Sequence, residues 1–279
     1  MSDDFAAWLG RHVTRFDTVT RRLVSEFHAT LAPFLFEPSN ESEIPPGLHW
    51  ALAPAIPTGT DLGPDGAEAK GIFLPPIPLP RRMWAGGSIE SFVPICIGMD
   101  VTRTSTISDL KTRDGRTGKL CFVSITHELR AGDTLLLRER QDLLFREGGL
   151  TVPQPNGQRE AGSADLEWKV ELSVPLLFRF SAVTFNGHRI HYDRSYAMEQ
   201  EGYGGLMVHG PLQAALLMNQ SAVLTGRTSP RFDYRCTAPL IAGQTASVAS
   251  SRDAQSVRGC IVDQIGTVTI ESSTHARET

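Results

Sequence analysis

The sequence has no long apolar run. Its longest stretches, such as Leu212 to Met218, stop far short of the ~20 residues that a membrane-spanning helix requires. It has no basic excess either: 27 Lys+Arg stand against 31 Asp+Glu, a formal charge of −4, which argues against a general nucleic-acid binder. Cysteine is scarce, and Cys96, Cys121, Cys236 and Cys260 form no CxxC or Cys/His metal spacing. They read as small buried residues of a reducing compartment. The N-terminus, Met1-Ser2-Asp3-Asp4-Phe5, is acidic and lacks a basic n-region, so neither a signal nor a transit peptide is expected and the chain reads as cytoplasmic. No glycine-rich dinucleotide fingerprint occurs, and no redox cofactor is expected. What is present, 41% hydrophobic and 21% charged residues, describes an ordinary folded protein. At 279 residues, area scaling gives roughly 44,000 Å² unfolded and roughly 12,000 Å² folded, enough burial for one large domain or two.

Apolar residues at Phe16, Val19, Leu23, Phe27 and Leu31 recur with a helical period, with Asp17 or Thr18 placed to cap the start and Pro33 to end the helix. The following fifty residues, closing in Pro75-Pro76-Ile77-Pro78-Leu79-Pro80, are too rich in Pro and Gly for a central strand or long helix and read as an irregular cover. Strands are expected near 89–97, 100–110, 118–128 and 134–146, with turns at Asp114-Gly115 and Ala131-Gly132-Asp133. A linker follows, then a strand at Trp168 to Val174 and a short apolar stretch through Phe180. Gly210-Pro211 opens the clearest helix, which Gly226 stops. Strands resume at 231–238, 244–252 and 258–271. Phe92, Cys96, Arg113-Asp114 and Gly118–Cys121 find counterparts in Phe232, Cys236, Arg252-Asp253 and Gly259-Cys260, about half a chain later, which suggests a duplication. The expected fold is α+β, with sheet curled around helix 210–225.

The densest polar cluster is Thr184-Phe185-Asn186-Gly187-His188-Arg189-Ile190-His191-Tyr192-Asp193, in a loop that leads to a helix start. Phe185 and Ile190 would anchor it. Free N–H groups at a helix start can stabilise an oxyanion, and a histidine can move a proton at neutral pH. The pair suits reactions through an enolate, including water addition to an unsaturated thioester. His188 and His191 also admit a metal reading, but no suitably placed third ligand stands out, and no metal is expected. Arg81 and Arg82 are either a solvated pair or a fork for phosphates or a carboxylate. Trp84 lies beside a ligand or in the core.

Phe180-Ser181-Ala182 through Tyr196-Ala197, followed by Gly205-Leu206-Met207-Val208-His209-Gly210-Pro211-Leu212, resembles the MaoC-like, R-specific hydratase/dehydratase group of hot-dog folds. Leu74 to Gly87 resembles the N-terminal signature of its two-repeat branch, which includes 3-hydroxyacyl-thioester dehydratases and hydratases of itaconyl-CoA and mesaconyl-C4-CoA. The resemblance implies a double hot-dog: a degenerate N-terminal repeat at 1–148, a linker at 149–164 and a catalytic repeat at 165–279. The family loop reads Asp-x-Asn-Pro-(Ile/Leu)-His, so that Asn186 stands at the Asp position, His188 at the Asn position and His191 at the His position. Asn186 cannot exchange a proton.

The resemblance therefore implies His191 and His188 as proton-transfer residues, Asn186 positioning water, and Gly210 N–H holding the thioester oxygen. Arg81, Arg82, Trp84, Asp193 and His209 are the expected substrate-binding residues. The implied reaction is reversible hydration of an unsaturated dicarboxylic acyl-CoA, giving citramalyl-CoA. Dehydration on fatty-acyl chains and a non-catalytic acyl-CoA-binding subunit are the alternatives. CoA enters as part of the substrate, no separate cofactor is expected, and the resemblance is compatible with a homodimer.

Overall fold

The computed structural model describes residues 3–115, 118–147 and 164–275; of the expected linker at 149–164, all but Ala164 lies outside them. The ten strands are β1 (His12–Thr18), β2 (Arg81–Ser91), β3 (Asp100–Gly115), β4 (Gly118–Ala131), β5 (Thr134–Arg146), β6 (Leu166–Glu171), β7 (Arg231–Cys236), β8 (Thr245–Arg252), β9 (Val257–Val262) and β10 (Val268–His275). They form one sheet in the order β1-β3-β4-β5-β2-β7-β10-β9-β8-β6. The second five strands repeat the connectivity of the first five in mirror order. In β4 the burial alternates residue by residue, with Cys121, Val123, Ile125 and Leu129 turned inward, as a half-buried strand requires.

The halves meet where β2 pairs antiparallel with β7, from Gly86↔Arg235 to Glu90↔Arg231. A bulge between Trp84 and Gly86 in the β2–β5 ladder re-aims the chain at this seam. Only glycine fits at Gly87, where a Cβ would lie 2.2 Å from the Arg140 carbonyl oxygen.

Helix α3 (Gly210–Thr225) spans the predicted range, with Pro211 in its first turn and Gly226 left-handed at its end (φ 71°). It is buried nearly all round. Its polar side chains are therefore spent on structure: Gln220 donates to Val248 O (2.9 Å), Gln213 accepts from Thr269 (2.8 Å), and Asn219 donates to Pro46 O (2.8 Å) in the cover of the first repeat.

Several expectations need correction. Helix α1 runs Arg21–Leu31 and is capped by Thr20, whose hydroxyl accepts the Leu23 N–H (3.2 Å). Phe16 belongs to β1 and is 79% exposed. The first predicted strand near 89–97 is shifted to 81–91, since its residues extend the β5 ladder from Arg81 onward. The apolar stretch after β6 is a helix, α2 (Val174–Val183), capped by Ser173, which packs Phe180 against Phe27 of α1. The strand expected at 258–271 is two, β9 and β10, because Asp263 turns the chain by accepting the Ile265 and Thr267 N–H groups. Of the paired motifs, Arg113-Asp114 and Cys121 occupy the same hairpin as Arg252-Asp253 and Cys260, but Phe92 and Cys96 lie beyond β2 while Phe232 and Cys236 lie within β7. No disulfide joins the four cysteines; Cys121 is buried and the other three are partly exposed. No helix among the described residues is long and apolar enough to cross a membrane.

Candidate active site

A cavity of about 830 Å³ opens between the repeats. One wall is the second repeat: Ser181, Asn186, His188, His191 and the start of α3 at Gly210-Pro211. The other wall is the first repeat: Arg82 and Trp84 of β2, with Arg103, Ser105, His127 and Gln141 from β3, β4 and β5.

The loop from α2 to α3 is shaped by its own sequence. Phe185 adopts a left-handed conformation (φ 51°), so that Asn186 N–H reaches back to Ser181 O (2.8 Å) and the helix stops. Asn186 Oδ1 then accepts the His188 N–H (3.0 Å) in a tight turn. Ile190 is buried as expected. Phe185 is not an anchor: it is 56% exposed and lies at the cavity rim, because the left-handed turn throws its side chain outward.

His191 is held in one tautomer. Its Nδ1 lies 2.7 Å from Met207 O, a carbonyl that can only accept, so the proton sits on Nδ1 and Nε2 keeps its lone pair. His209 stacks on it at 3.6 Å between ring centroids, and Ser181 Oγ holds His209 Nε2 at 2.8 Å. His188 stands edge-on to His191 at 5.6 Å. Burial lowers all three imidazoles: His191 to about 4, against the opposing Met207 hydrogen bond and with help from Arg82, and His188 and His209 well below the usual value. At neutral pH they are uncharged, and the His191 Nε2 lone pair is unprotonated.

As the first residue of α3, Gly210 has an N–H without an intrahelical acceptor. Trp84 covers it so closely that a Cβ there would sit 3.2 Å from the indole. The indole N–H donates to Tyr234 OH (2.9 Å) across the β2–β7 seam, and Trp50 closes the aromatic wall edge-on to both rings. Arg82, two residues before Trp84 on the same strand face, donates to Asp65 (3.0 Å).

Three expected roles do not fit the geometry. Arg81 points to the opposite face of β2, is buried, and lies 3.6 Å from the Glu201 carboxylate, so it clamps the loop to the sheet and does not reach the cavity. Asp193 accepts both Nε and Nη2 of Arg189 (3.0 and 2.7 Å) and the Tyr196 N–H, and so is a turn residue that orients no histidine. His209 lies beneath His191, stacked on its ring and outside the cavity lining. His188, His191, Asn186, Gly210, Arg82 and Trp84 do converge. Sequence reasoning missed the Met207 carbonyl, Ser181 and Asp65. Asp65 sits in a Pro/Gly-rich stretch whose composition gives no hint of a site.

Residues 47–242 match the family model for hydroxyacyl-thioester dehydratase type 2. The chain is 41% identical over 241 residues to a mesaconyl-C(4)-CoA hydratase of Chloroflexus aurantiacus, an alignment covering 86% of each chain. Among solved structures it is similar to HtdX of Mycobacterium tuberculosis (TM-score 0.68, 15% identity, 96% of this chain and 100% of that one). It is similar also to a second protein of that organism described as having a double hotdog fold (TM-score 0.56, 13% identity, 98% and 97% covered).

Proposed function

The chain belongs to the hydroxyacyl-thioester dehydratase type 2 family, with a double hot-dog fold, and from that premise we propose that it reversibly hydrates a short unsaturated dicarboxylic acyl-CoA. Itaconyl-CoA and mesaconyl-C4-CoA are the favoured substrates and citramalyl-CoA the product. The observation that carries this reading is the neutral His191, its Nε2 lone pair free, in the same cavity as the Gly210 N–H and Arg82.

In the proposed cycle, written for mesaconyl-C4-CoA, whose double bond is conjugated with the thioester, the Gly210 N–H polarises the thioester oxygen. His191 Nε2 takes a proton from water, hydroxide bonds to carbon 3, and the double-bond electrons move onto the thioester as an enolate. The His191 imidazolium returns the proton to carbon 2, so that one water is added and the enzyme is regenerated. Asn186 and His188 hold the water. Arg82 offers its remaining guanidinium N–H groups to the free carboxylate of the acyl unit. The choice of a dicarboxylic over a fatty-acyl chain is supported by the relative's similarity and by the Arg82 guanidinium in the cavity lining.

The test is a panel of enoyl-CoA thioesters, followed by loss of enoyl absorbance and by mass spectrometry for gain of water. The dicarboxylic members should react fastest, and Arg82→Met should lower kcat/KM for them by about 10- to 100-fold, the loss expected for a charge-assisted pair, while barely changing crotonyl-CoA. Equal rates for crotonyl-CoA and a dicarboxylic thioester would end the dicarboxylic assignment in favour of dehydration or hydration on neutral acyl chains. Homodimer formation remains part of the proposal and is read from the molar mass in solution.

A further inference from the structure

The first repeat reaches across the cavity at one point. The turn at Gly63–Ala67 docks on the His188 loop through backbone contacts: Arg189 N–H donates to Asp65 O (2.8 Å), and Arg189 Nη1 donates to Pro64 O (3.0 Å). Gly66 is left-handed (φ 79°), and a Cβ there would lie 2.4 Å from Gly187 O. Two glycines let the backbones touch. This docking brings the Asp65 carboxylate into the space between the two functional walls. Its Oδ1 accepts the Ala67 N–H (3.1 Å), which fixes the side chain, and its Oδ2 faces outward to Arg82 Nη2 at 3.0 Å and to His188 Nε2 at 3.9 Å. A single oxygen thus looks at the guanidinium on one side and the imidazole on the other, and the only residue of the His188 loop placed to bring a side-chain amide or carboxyl there, Asn186, is neutral and already bonded to the His188 N–H.

Resting on the reading of function above, we infer that Asp65 is a positioning residue that couples substrate recognition to the proton-handling loop. It holds one arm of Arg82 so that the rest of the fork faces the acyl carboxylate, while the same oxygen stands 3.9 Å from His188 Nε2 and its backbone carbonyl anchors the His188 loop at Arg189. Asp65 does not itself line the cavity, so it acts through these two neighbours. The acyl group recognised through this pair carries its own carboxylate close to the reacting double bond. A thioester with a methyl group in place of that carboxylate gains nothing from the Arg82 arm.

The experiment is Asp65→Asn in the full chain, assayed with mesaconyl-C4-CoA and with crotonyl-CoA. Asparagine keeps the Ala67 cap and the backbone docking but presents no charge to Arg82. The expected result is a KM about tenfold higher for mesaconyl-C4-CoA alone, the scale of one charged hydrogen bond, with kcat lower for both substrates. Asp65→Glu, which restores the charge, should recover most of the preference for mesaconyl-C4-CoA. Unchanged kinetics, a KM that rises equally for both thioesters, or a Glu variant no better than Asn each overturns the inference. If the parent enzyme hydrates no thioester, the reading of function fails instead. The Arg82 arm is then read by calorimetric titration with mesaconyl-C4-CoA, where equal affinity of parent and Asp65→Asn overturns it.

Discussion

The two repeats build the same five-stranded half-sheet, yet they have diverged in what fills its concave side. The second keeps a 16-residue helix, α3, buried along its length, and places Gly210 and three histidines at its start. The first has, between residues 32 and 80, two short 3-10 turns, Leu48–Ala51 and Gly59–Asp61, in an otherwise irregular cover. Its own buried histidine, His49, faces Glu139 at 3.9 Å and has no hydrogen-bond partner at Nε2. The lesson is a division of labour. On the proposed reading the second repeat supplies the Gly210 N–H and His191, and the first supplies Arg82, Trp84 and a cover that meets the His188 loop.

The sharpest way to break this comparison is to remove one histidine from each repeat. His191→Ala should lower kcat by about 10³-fold, within the usual range for a general acid–base residue, whereas His49→Gln should leave hydration rates near those of the parent. Comparable losses in steady-state assays would mean that the first repeat also carries chemistry. The next largest effect concerns the seam. Gly87→Ala forces a methyl group onto the Arg140 carbonyl and should cost about 1–3 kcal/mol of stability in urea unfolding, the range for overpacking. An unchanged midpoint would show that the two half-sheets yield at their junction.

Acid titration sharpens the comparison with a smaller effect. His49 is held at about 3 and His191 at about 4, both chiefly by burial, with Arg103 adding to the shift at His49. Folded values below the unfolded one mean that the unfolded chain binds more protons, so stability contributed by these neutral rings is complete above pH ~6.5 and is lost as pH falls toward 4 and 3. Melting temperature should fall through that window. His49→Gln should flatten part of the decline without moving the acid limb of kcat/KM, which belongs to His191. A shift of that limb in His49→Gln would couple the two repeats.

Much of this was legible in advance where local chemistry and tertiary structure agree. Gly210-Pro211 and Gly226 punctuate α3 because a helix start tolerates proline and a helix end favours a left-handed glycine. Helix α2 was not legible: Val174 to Val183 is a nearly continuous apolar stretch, which a buried strand would show equally well. In the site, residue type singled out His188, His191, Gly210, Arg82 and Trp84, which the fold brings to one cavity. It could not separate Arg81 from Arg82, because strand register alone turns one toward Glu201 and the other into the cavity. Asp193, expected at the substrate, is held instead by Arg189, four residues earlier, a partner that residue type alone does not reveal. Asp65 was out of reach, since its meaning comes from a contact with a loop more than a hundred residues away.

The pairing of β2 with β7 joins the two walls of the cavity within a single polypeptide. Their encounter is governed by an effective local concentration that the chain sets, not by the amount of enzyme in solution. An active centre assembled from separate subunits loses activity per molecule as it is diluted below its dissociation constant. Here the Gly210 N–H, His191 and Arg82 stay together however thinly the protein is spread.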